Sequence, residues 1–322
     1  MENYSLIQKF LHDLLLSNNF LKKSFFEIEK LIFNKKINYK LKEEKHVFIT
    51  GLPRSGTTAI LNYLYNSSSF CSLTYKNMPF VMAPNLSFIL IKKSNFKKQE
   101  RMHKDGLYFD LDTPESFDEV FFSTFNEDEI KNELLNYINL ILIKKDSKRY
   151  LSKNNLNYKK IDLIQSLFPK SIFLIPFRNP IQHANSLLNQ HKNFCLIQKN
   201  NKFVKRYMKY LGHNEFGLNH KSWNKPSLFK EYNNINYWLE QWYKFYDHLF
   251  KKFNNNKNCI FIAYENLDDL KFEKNLCYFL DIKHEKKIKF TIKKKEVFYD
   301  FDENLLSLSK NLYDELLKIS FK

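Results

Sequence analysis

The chain has 322 residues, of which 43% are hydrophobic and 17% aromatic. It therefore carries enough apolar side chains for a sizeable core, and natural disorder of the whole chain is excluded. Lys and Arg number 52 against 35 Asp and Glu, a net charge of +17, which favours an anionic partner such as nucleic acid, a membrane surface or a phosphorylated small ligand. The four cysteines are scattered without metal-ligand spacing, so we expect no disulfide framework and a reducing compartment.

The first segment of the chain, residues 1–45, has apolar residues at helical spacing that polar residues such as His12 and Asn18 interrupt. This pattern predicts one or two amphipathic helices rather than a signal peptide or a membrane span. We therefore divide the chain into an N-terminal helical segment, 1–45, and an α/β domain, 46–322. We expect a cytoplasmic protein without a membrane span.

Buried strands are indicated by three unbroken apolar runs, at residues 46–50, 171–177 and 259–264. A shorter strand is expected at 149–153. Helical patterns alternate with these runs, and the predicted helices cover 126–145, with Asn126 as N-cap, 180 to about 191, most of 199–255, 269–280 and 302–319. Apolar strands that alternate with helices are typical of a parallel sheet covered by helices on both faces.

The clearest motif is GLPRSGTT at 51–58, between the first predicted strand and a helix. Gly51 and Gly56 are two of only five glycines in the chain, which indicates a tight turn or a close approach to a ligand. Backbone N–H groups in such a loop, with the helix dipole behind them, form a cradle for an anion. Hydroxyl groups in the loop add further donors: Ser55, Thr57 and Thr58.

The loop differs from the ATP- and GTP-binding pattern, which requires Lys directly after the second glycine. Thr57 occupies that position, and the cation is Arg54, inside the loop. The spacing therefore predicts a phosphate loop, while the missing lysine argues against a kinase or nucleotide triphosphatase.

A second strand-to-helix junction carries another cation. Arg178 follows the run 171–177, Pro180 opens the next helix, and Ser186 lies eight residues after Arg178. Arginine is well suited to bidentate binding of phosphate. Because open α/β sheets bind ligands at the carboxyl ends of their strands, we expect Arg54 and Arg178 to lie at one site.

These two motifs together resemble the PAPS-dependent sulfotransferase superfamily, in its bacterial type, where PAPS is 3′-phosphoadenosine 5′-phosphosulfate. Weaker likenesses lie at 103–122, 152–155, 211–217 and 264–267. The resemblance implies a P-loop-like three-layer sandwich with a short parallel sheet and helical insertions. It also implies transfer of a sulfuryl group from PAPS to a hydroxyl or an amine, without a metal. Ala59 stands where cytosolic members have an adenine-stacking Trp, so the adenine contact has to come from elsewhere.

The resemblance also assigns residues. The 5′-phosphosulfate is expected on the loop, and the 3′-phosphate on Arg178 and Ser186. The loop residues concerned are Pro53, Arg54, Ser55, Gly56, Thr57 and Thr58. Arg54 is in addition the expected catalytic cation, because a fixed positive charge suits the charge that develops at the leaving phosphate.

The general base that takes the acceptor's proton is left open by the sequence. His103 is the first candidate, because its ordinary pKa suits neutral pH. Glu119 is the second, and Glu115 and His191 remain alternatives. The acceptor is a sugar, a lipid or a small molecule, and no nucleic acid partner is expected. The competing readings are a non-catalytic protein that binds an anionic ligand or nucleic acid, and a P-loop kinase.

Overall fold

The structure is a computed structural model that describes residues 4–33, 38–90, 98–103, 106–143, 149–223, 226–283 and 297–322. The strands are β1 (Val47–Ile49), β2 (Gln99–Glu100), β3 (Tyr108–Phe109), β4 (Leu151–Lys153), β5 (Ile172–Phe177) and β6 (Cys259–Ala263). The central sheet is parallel, with the strand order β4-β1-β5-β6. The short strands β2 and β3 pair with each other as an antiparallel ribbon.

The helices are α1 (Leu6–Ser17), α2 (Asn19–Phe33), α3 (Thr57–Asn66), α4 (Pro84–Leu90), α5 (Glu119–Thr124), α6 (Glu127–Leu142), α7 (Ile161–Leu167), α8 (Pro180–Asn200), α9 (Lys202–Tyr210), α10 (Ile235–Phe253), α11 (Leu270–Phe279) and α12 (Glu303–Ile319). Local signals explain several of the ends. Asn126 caps α6 by accepting a hydrogen bond from the Glu129 N–H, as the sequence predicts, and Pro180 occupies the first turn of α8.

The sheet separates two apolar layers, because successive side chains of a strand point to opposite faces. Val47 and Ile49 face one cluster, which α3 and α11 complete. Phe48 faces the other and stacks on Phe173 at 5.3 Å between ring centroids, in a larger cluster with side chains of α7, α8, α10 and α12. The predicted sandwich, a parallel sheet between two layers of helices, is confirmed.

Two predictions about helix extent are wrong. The predicted end of α8 near His191 is replaced by an end at Asn200, where Asn201 accepts hydrogen bonds from the first N–H groups of α9. The stretch 199–255 is also less helical than predicted, since α9 and α10 are separated by non-helical residues. Gly212 lies two residues after the end of α9 with φ of 74°, a left-handed conformation that ends a helix.

The N-terminal segment forms two helices, as predicted. Asn18 separates them, because its side chain accepts hydrogen bonds from the Phe20 and Leu21 N–H groups and so starts α2. The buried Glu29 of α2 accepts hydrogen bonds from the backbone and side-chain nitrogens of Asn85 in α4. In the described part of the chain, no helix combines the length and the apolar character needed to cross a bilayer.

Candidate active site

The loop between β1 and α3 turns through two left-handed residues, Arg54 with φ 74° and Gly56 with φ 98°. A left-handed arginine is strained, so its surroundings must hold it in place. Two hydrogen bonds do so. The Ser55 hydroxyl donates to the Leu52 carbonyl at 2.7 Å, and the His183 Nε2–H donates to the Pro53 carbonyl at 2.8 Å. The loop conformation is therefore fixed by side chains of the loop itself and of α8.

Both loop glycines are also required by close approach. A Cβ on Gly51 would lie 3.0 Å from the Pro176 carbonyl oxygen of β5. A Cβ on Gly56 would lie 3.0 Å from ring atom Cδ2 of Tyr264 and 3.0 Å from Leu267. The loop is thus packed between β5 and the segment that follows β6. The left-handed backbone at Gly56 is the tight turn that the glycines indicated, and a close approach to a ligand stays a prediction.

The first turn of α3 supplies the donors of an anion cradle. Its first intrahelical hydrogen bond runs from the Ile60 N–H to the Gly56 carbonyl at 3.1 Å, so the N–H groups of 57–59 have no partner within the helix. Thr57 is buried and Thr58 is half-buried, while Ser55 is fully buried. The positive end of the helix dipole and these donors favour an anion at this position.

Arg54 links the two predicted motifs. Its Nε donates to the Ser186 hydroxyl of α8 at 3.3 Å. Arg178, at the carboxyl end of β5, lies over the ring of Tyr264 at 4.8 Å. Burial lowers the pKa of Arg178, and the neighbouring charge of Arg54 lowers it further. The two arginines and Ser186 therefore meet at one edge of the sheet, as the sequence predicts.

The segment after β6 supports Arg178 from the other side. The Glu265 carboxylate accepts a hydrogen bond from the Asn179 N–H at 3.1 Å, and Trp242 Nε1 donates to the Arg178 carbonyl at 3.1 Å. The first contact connects the ends of β5 and β6, and the second connects the end of β5 to α10. In the sequence, the segment 264–267 carries only a weak family likeness, because its contacts with the end of β5 depend on strand order rather than on local pattern.

The carboxyl end of β4 adds a cation that the sequence analysis did not place in the site. Lys153 is buried, and its Nζ lies 3.3 Å from Glu115. The Arg101 guanidinium lies 3.3 Å from the other carboxylate oxygen of Glu115. Burial opposes ionisation of Glu115, but Lys153 and Arg101 outweigh it and hold its pKa well below the ordinary value. A Lys at the end of an expected strand was the signal that could have found it.

His103 lies close enough to Arg101, Glu115 and Lys153 for their charges to affect its pKa. Its ring packs edge-on against Phe194 of α8, with 5.1 Å between ring centroids. Burial lowers its pKa well below the ordinary value, and the positive charges of Arg101 and Arg54 lower it further. The imidazole is therefore neutral at neutral pH and close enough to the Arg54 loop to be influenced by it.

The other predicted base candidates have different surroundings. Glu119, the first residue of α5, accepts hydrogen bonds from Asn154 at 2.7 Å and from the Lys160 ammonium at 3.0 Å. His191 is buried against Trp238, and burial lowers its pKa to about 4. Glu119 is thus in an ion pair, and His191 lies in an aromatic cluster.

A second histidine, His213, lies near Lys153 and Glu115 and was not predicted from the sequence. His213 Nδ1 lies 3.4 Å from the Glu215 carboxylate, which also accepts a hydrogen bond from Asn155 just beyond β4 at 2.9 Å. Burial opposes the charge on His213, but Glu215 outweighs it and raises its pKa. The pKa of Glu215 falls to about 2. The sequence feature that could have indicated this pair is a His and a Glu two residues apart between Gly212 and Gly217.

The described residues contain no group of three or more His, Cys, Asp or Glu arranged to hold a metal ion.

The parallel sheet and the loop between β1 and α3 define a P-loop-like α/β protein. The chain belongs to the sulfotransferase family, whose model matches residues 46–286. The fold is similar to that of the sulfotransferase STF1 from Mycobacterium tuberculosis, with a TM-score of 0.51 and 10% identity over 87% of this chain and 78% of that one. Sulfotransferase STF9 from Mycobacterium avium matches with a TM-score of 0.46 and 11% identity, over 93% and 75% of the two chains. No curated protein matches the sequence.

Proposed function

We propose that the protein transfers a sulfuryl group from PAPS to a hydroxyl, or an amine, of an acceptor. The observation that carries the proposal is the meeting of the Arg54 loop, Arg178 and Ser186 at one edge of the sheet. A nucleotide with a phosphosulfate at one end and a phosphate at the other needs two anion sites. The chain offers them at the ends of adjacent strands, β1 and β5.

The residues present suit this ligand. The cradle supplies N–H donors and threonine hydroxyls for the 5′-phosphosulfate, while Arg178 is placed to receive the 3′-phosphate. The Ser55 hydroxyl is engaged with Leu52, so Ser55 serves through its backbone N–H. Ser186 holds Arg54 as well as bordering the 3′-phosphate site. The proposed binding residues are Pro53, Arg54, Ser55, Gly56, Thr57, Thr58, Arg178 and Ser186.

When bound, PAPS supplies a sulfuryl group whose S–O bond to the 5′-phosphate breaks as a new bond forms from sulfur to the acceptor's hydroxyl oxygen or amine nitrogen. Charge then builds on the phosphate oxygen that leaves. Arg54 is suited to meet that charge, because the left-handed backbone and the bond to Ser186 fix its position. A donor held in place before the reaction costs no reorganisation when the charge develops.

We propose His103 as the group that takes the acceptor's proton. Its neutral form is the one that accepts a proton, and its surroundings hold it in that form. Glu115 is less suited, since the Lys153 ammonium and the Arg101 guanidinium each engage one of its two carboxylate oxygens at 3.3 Å. Glu119 stays the second candidate, and its carboxylate is engaged by the Lys160 ammonium at 3.0 Å.

The direct test is a thermal-shift and calorimetric comparison of 3′-phosphoadenosine 5′-phosphate (PAP), AMP and ATP. At about 100 times its dissociation constant, PAP should stabilise the protein by about 2.7 kcal/mol. AMP lacks the 3′-phosphate and should do much less. Equal shifts with AMP and PAP would contradict the role of Arg178, and preferential binding of ATP with Mg²⁺ would favour a kinase. Transfer of labelled sulfate from PAPS to a panel of hydroxylated acceptors then tests the reaction.

A further inference from the structure

The N-terminal helix α1 exposes a row of large apolar side chains. Leu6, Ile7, Phe10 and Leu14 are 84%, 73%, 63% and 42% exposed. Their spacing places them along one side of the helix, away from the side that packs into the protein. We call this row the α1 apolar stripe. A continuous exposed apolar patch of this kind marks an interaction surface.

The neighbouring helix α9 exposes a row of cations. Lys202, Lys205 and Lys209 lie three and four residues apart, with Lys202 and Lys209 exposed and Lys205 half-buried, and α9 contains no acidic residue. We call this row the α9 basic stripe. Three lysines without an acidic residue on their own helix therefore lie beside an apolar surface.

An ion pair joins the two helices and makes the stripes neighbours. Arg206 of α9 donates to the Asp13 carboxylate of α1 at 2.7 Å. On a helix, residues three or four positions apart lie side by side. Phe10 is three residues before Asp13, and Lys202 and Lys209 lie four before and three after Arg206. The apolar stripe thus lies on one side of the ion pair and the basic stripe on the other.

We propose that this combined surface docks onto an anionic lipid bilayer. The α1 apolar stripe would enter the boundary between headgroups and acyl chains, with α1 parallel to the bilayer. The α9 basic stripe would lie among the anionic headgroups. Helices with an apolar row and a basic row are typical of proteins bound at a membrane surface.

The other occupants fit the surface less well. A second copy of the chain would bring a further charge of +17 against the basic stripe. A nucleic acid would satisfy the lysines but would leave the aliphatic side chains of Leu6, Ile7 and Leu14 in water. An anionic bilayer is complementary to both stripes at once.

Docking would also bring the candidate active site close to the bilayer, because α9 ends at Tyr210, three residues before His213. This consequence rests on the proposed function and favours an acceptor hydroxyl carried by a lipid or another amphiphile. The docking itself does not depend on the activity, so the following test uses no substrate.

The test is co-flotation of the full chain with phosphatidylcholine vesicles, with and without phosphatidylserine. We expect binding only when phosphatidylserine is present, and weaker binding in high salt. Changing Lys202, Lys205 and Lys209 to Gln should weaken binding by about fivefold for each lysine. Ile7→Ser with Phe10→Ser should weaken it by at least about tenfold.

Matched controls separate the surface from the overall charge. Lys271, Lys274 and Lys310 are exposed on other helices, and their change to Gln removes the same charge. Leu228, 84% exposed, gives an apolar control as Leu228→Ser. Both control proteins should bind like the wild type, and unchanged melting by circular dichroism should show that every variant folds.

Three outcomes would overturn the proposal. One is a failure of the wild type to bind phosphatidylserine vesicles at low salt. Another is a dimer at low concentration that Phe10→Ser abolishes without vesicle binding, which would assign the surface to a second copy. A third is salt-sensitive DNA binding that needs the three lysines and ignores Phe10→Ser. A PAP thermal shift that persists in any of these cases would leave the proposed function intact.

Discussion

Glu115→Gln should destabilise the protein strongly. The Glu115 carboxylate, which is 10% exposed, lies 3.3 Å from both Lys153 and Arg101 and accepts hydrogen bonds from Tyr75 at 3.2 Å and from the Ser116 N–H at 2.9 Å. A glutamine keeps the shape but leaves two buried cations without their counter-charge. Breaking a buried ion pair in this way costs about 3–5 kcal/mol.

The assay is thermal melting at neutral pH. At about 2–4 °C per kcal/mol for large domains, the melting temperature should fall by about 6–20 °C. Glu127→Gln is the matched control, because Glu127 also faces a lysine, Lys131, but is 74% exposed, and a surface pair is worth at most about 1 kcal/mol. A second change, Lys153→Met, removes one of the stranded cations and should restore part of the loss in the double variant.

The pH dependence gives an independent check. The folded protein lowers the pKa of Glu115 from its ordinary 4.5. A group whose pKa is lowered by folding stabilises the protein above its unfolded pKa, and that stabilisation disappears as the pH falls. The difference in melting temperature between wild type and Glu115→Gln should therefore reach its full size above about pH 4.5 and become smaller as the pH falls below that value. A variant that melts within 2 °C of the wild type, or a difference independent of pH, would refute the ion-pair reasoning.

Four further substitutions test the site. Arg54→Ala should chiefly lower turnover, and Arg178→Ala should chiefly weaken PAP binding, because in the proposed reaction only Arg54 faces charge that develops during transfer. Steady-state kinetics and calorimetry separate the two. Gly56→Ala should melt earlier and bind PAP more weakly, since the left-handed backbone and the Tyr264 ring leave no room for a Cβ. His103→Ala should lower turnover by about 10²–10⁴-fold with PAP affinity nearly unchanged. An active His103→Ala with a dead Glu119→Gln would move the base to the carboxylate.

The sheet and the loop could be predicted because their signals are local. An unbroken apolar run such as 171–177 indicates a buried strand wherever it pairs, and the glycines at 51 and 56 indicate a backbone conformation that few other residues adopt. The same local signals placed Arg54 and Arg178 at strand ends. Because β1 and β5 are adjacent and parallel, their carboxyl ends lie side by side, and so do the two arginines.

The contacts among distant segments could not be predicted in this way. Ser186 was expected to border the site of Arg178, and the structure shows that it accepts a hydrogen bond from Arg54. Glu115 meets Lys153 from β4 and Arg101 from the end of the β2–β3 ribbon, three segments whose spacing in the sequence contains no hint of the contact. The predicted end of α8 near His191 was wrong for a simpler reason. No residue before Asn201 interrupts the helix, so the helix continues to Asn200.

The two histidines near Glu115 show why a base cannot be chosen from residue type alone. His103 and His213 share Lys153 and Glu115 as electrostatic neighbours, yet their pKa values move in opposite directions. Burial and the charges of Arg101 and Arg54 lower the pKa of His103, whereas Glu215 outweighs burial and raises the pKa of His213. Where the surroundings shift the pKa values of two titratable groups in opposite directions, the two groups become suited to different roles, one as an acid and one as a base. Of the two histidines, His103 is therefore the one whose surroundings favour the neutral form that the proposed base requires, and His213 is the one whose surroundings favour the cation.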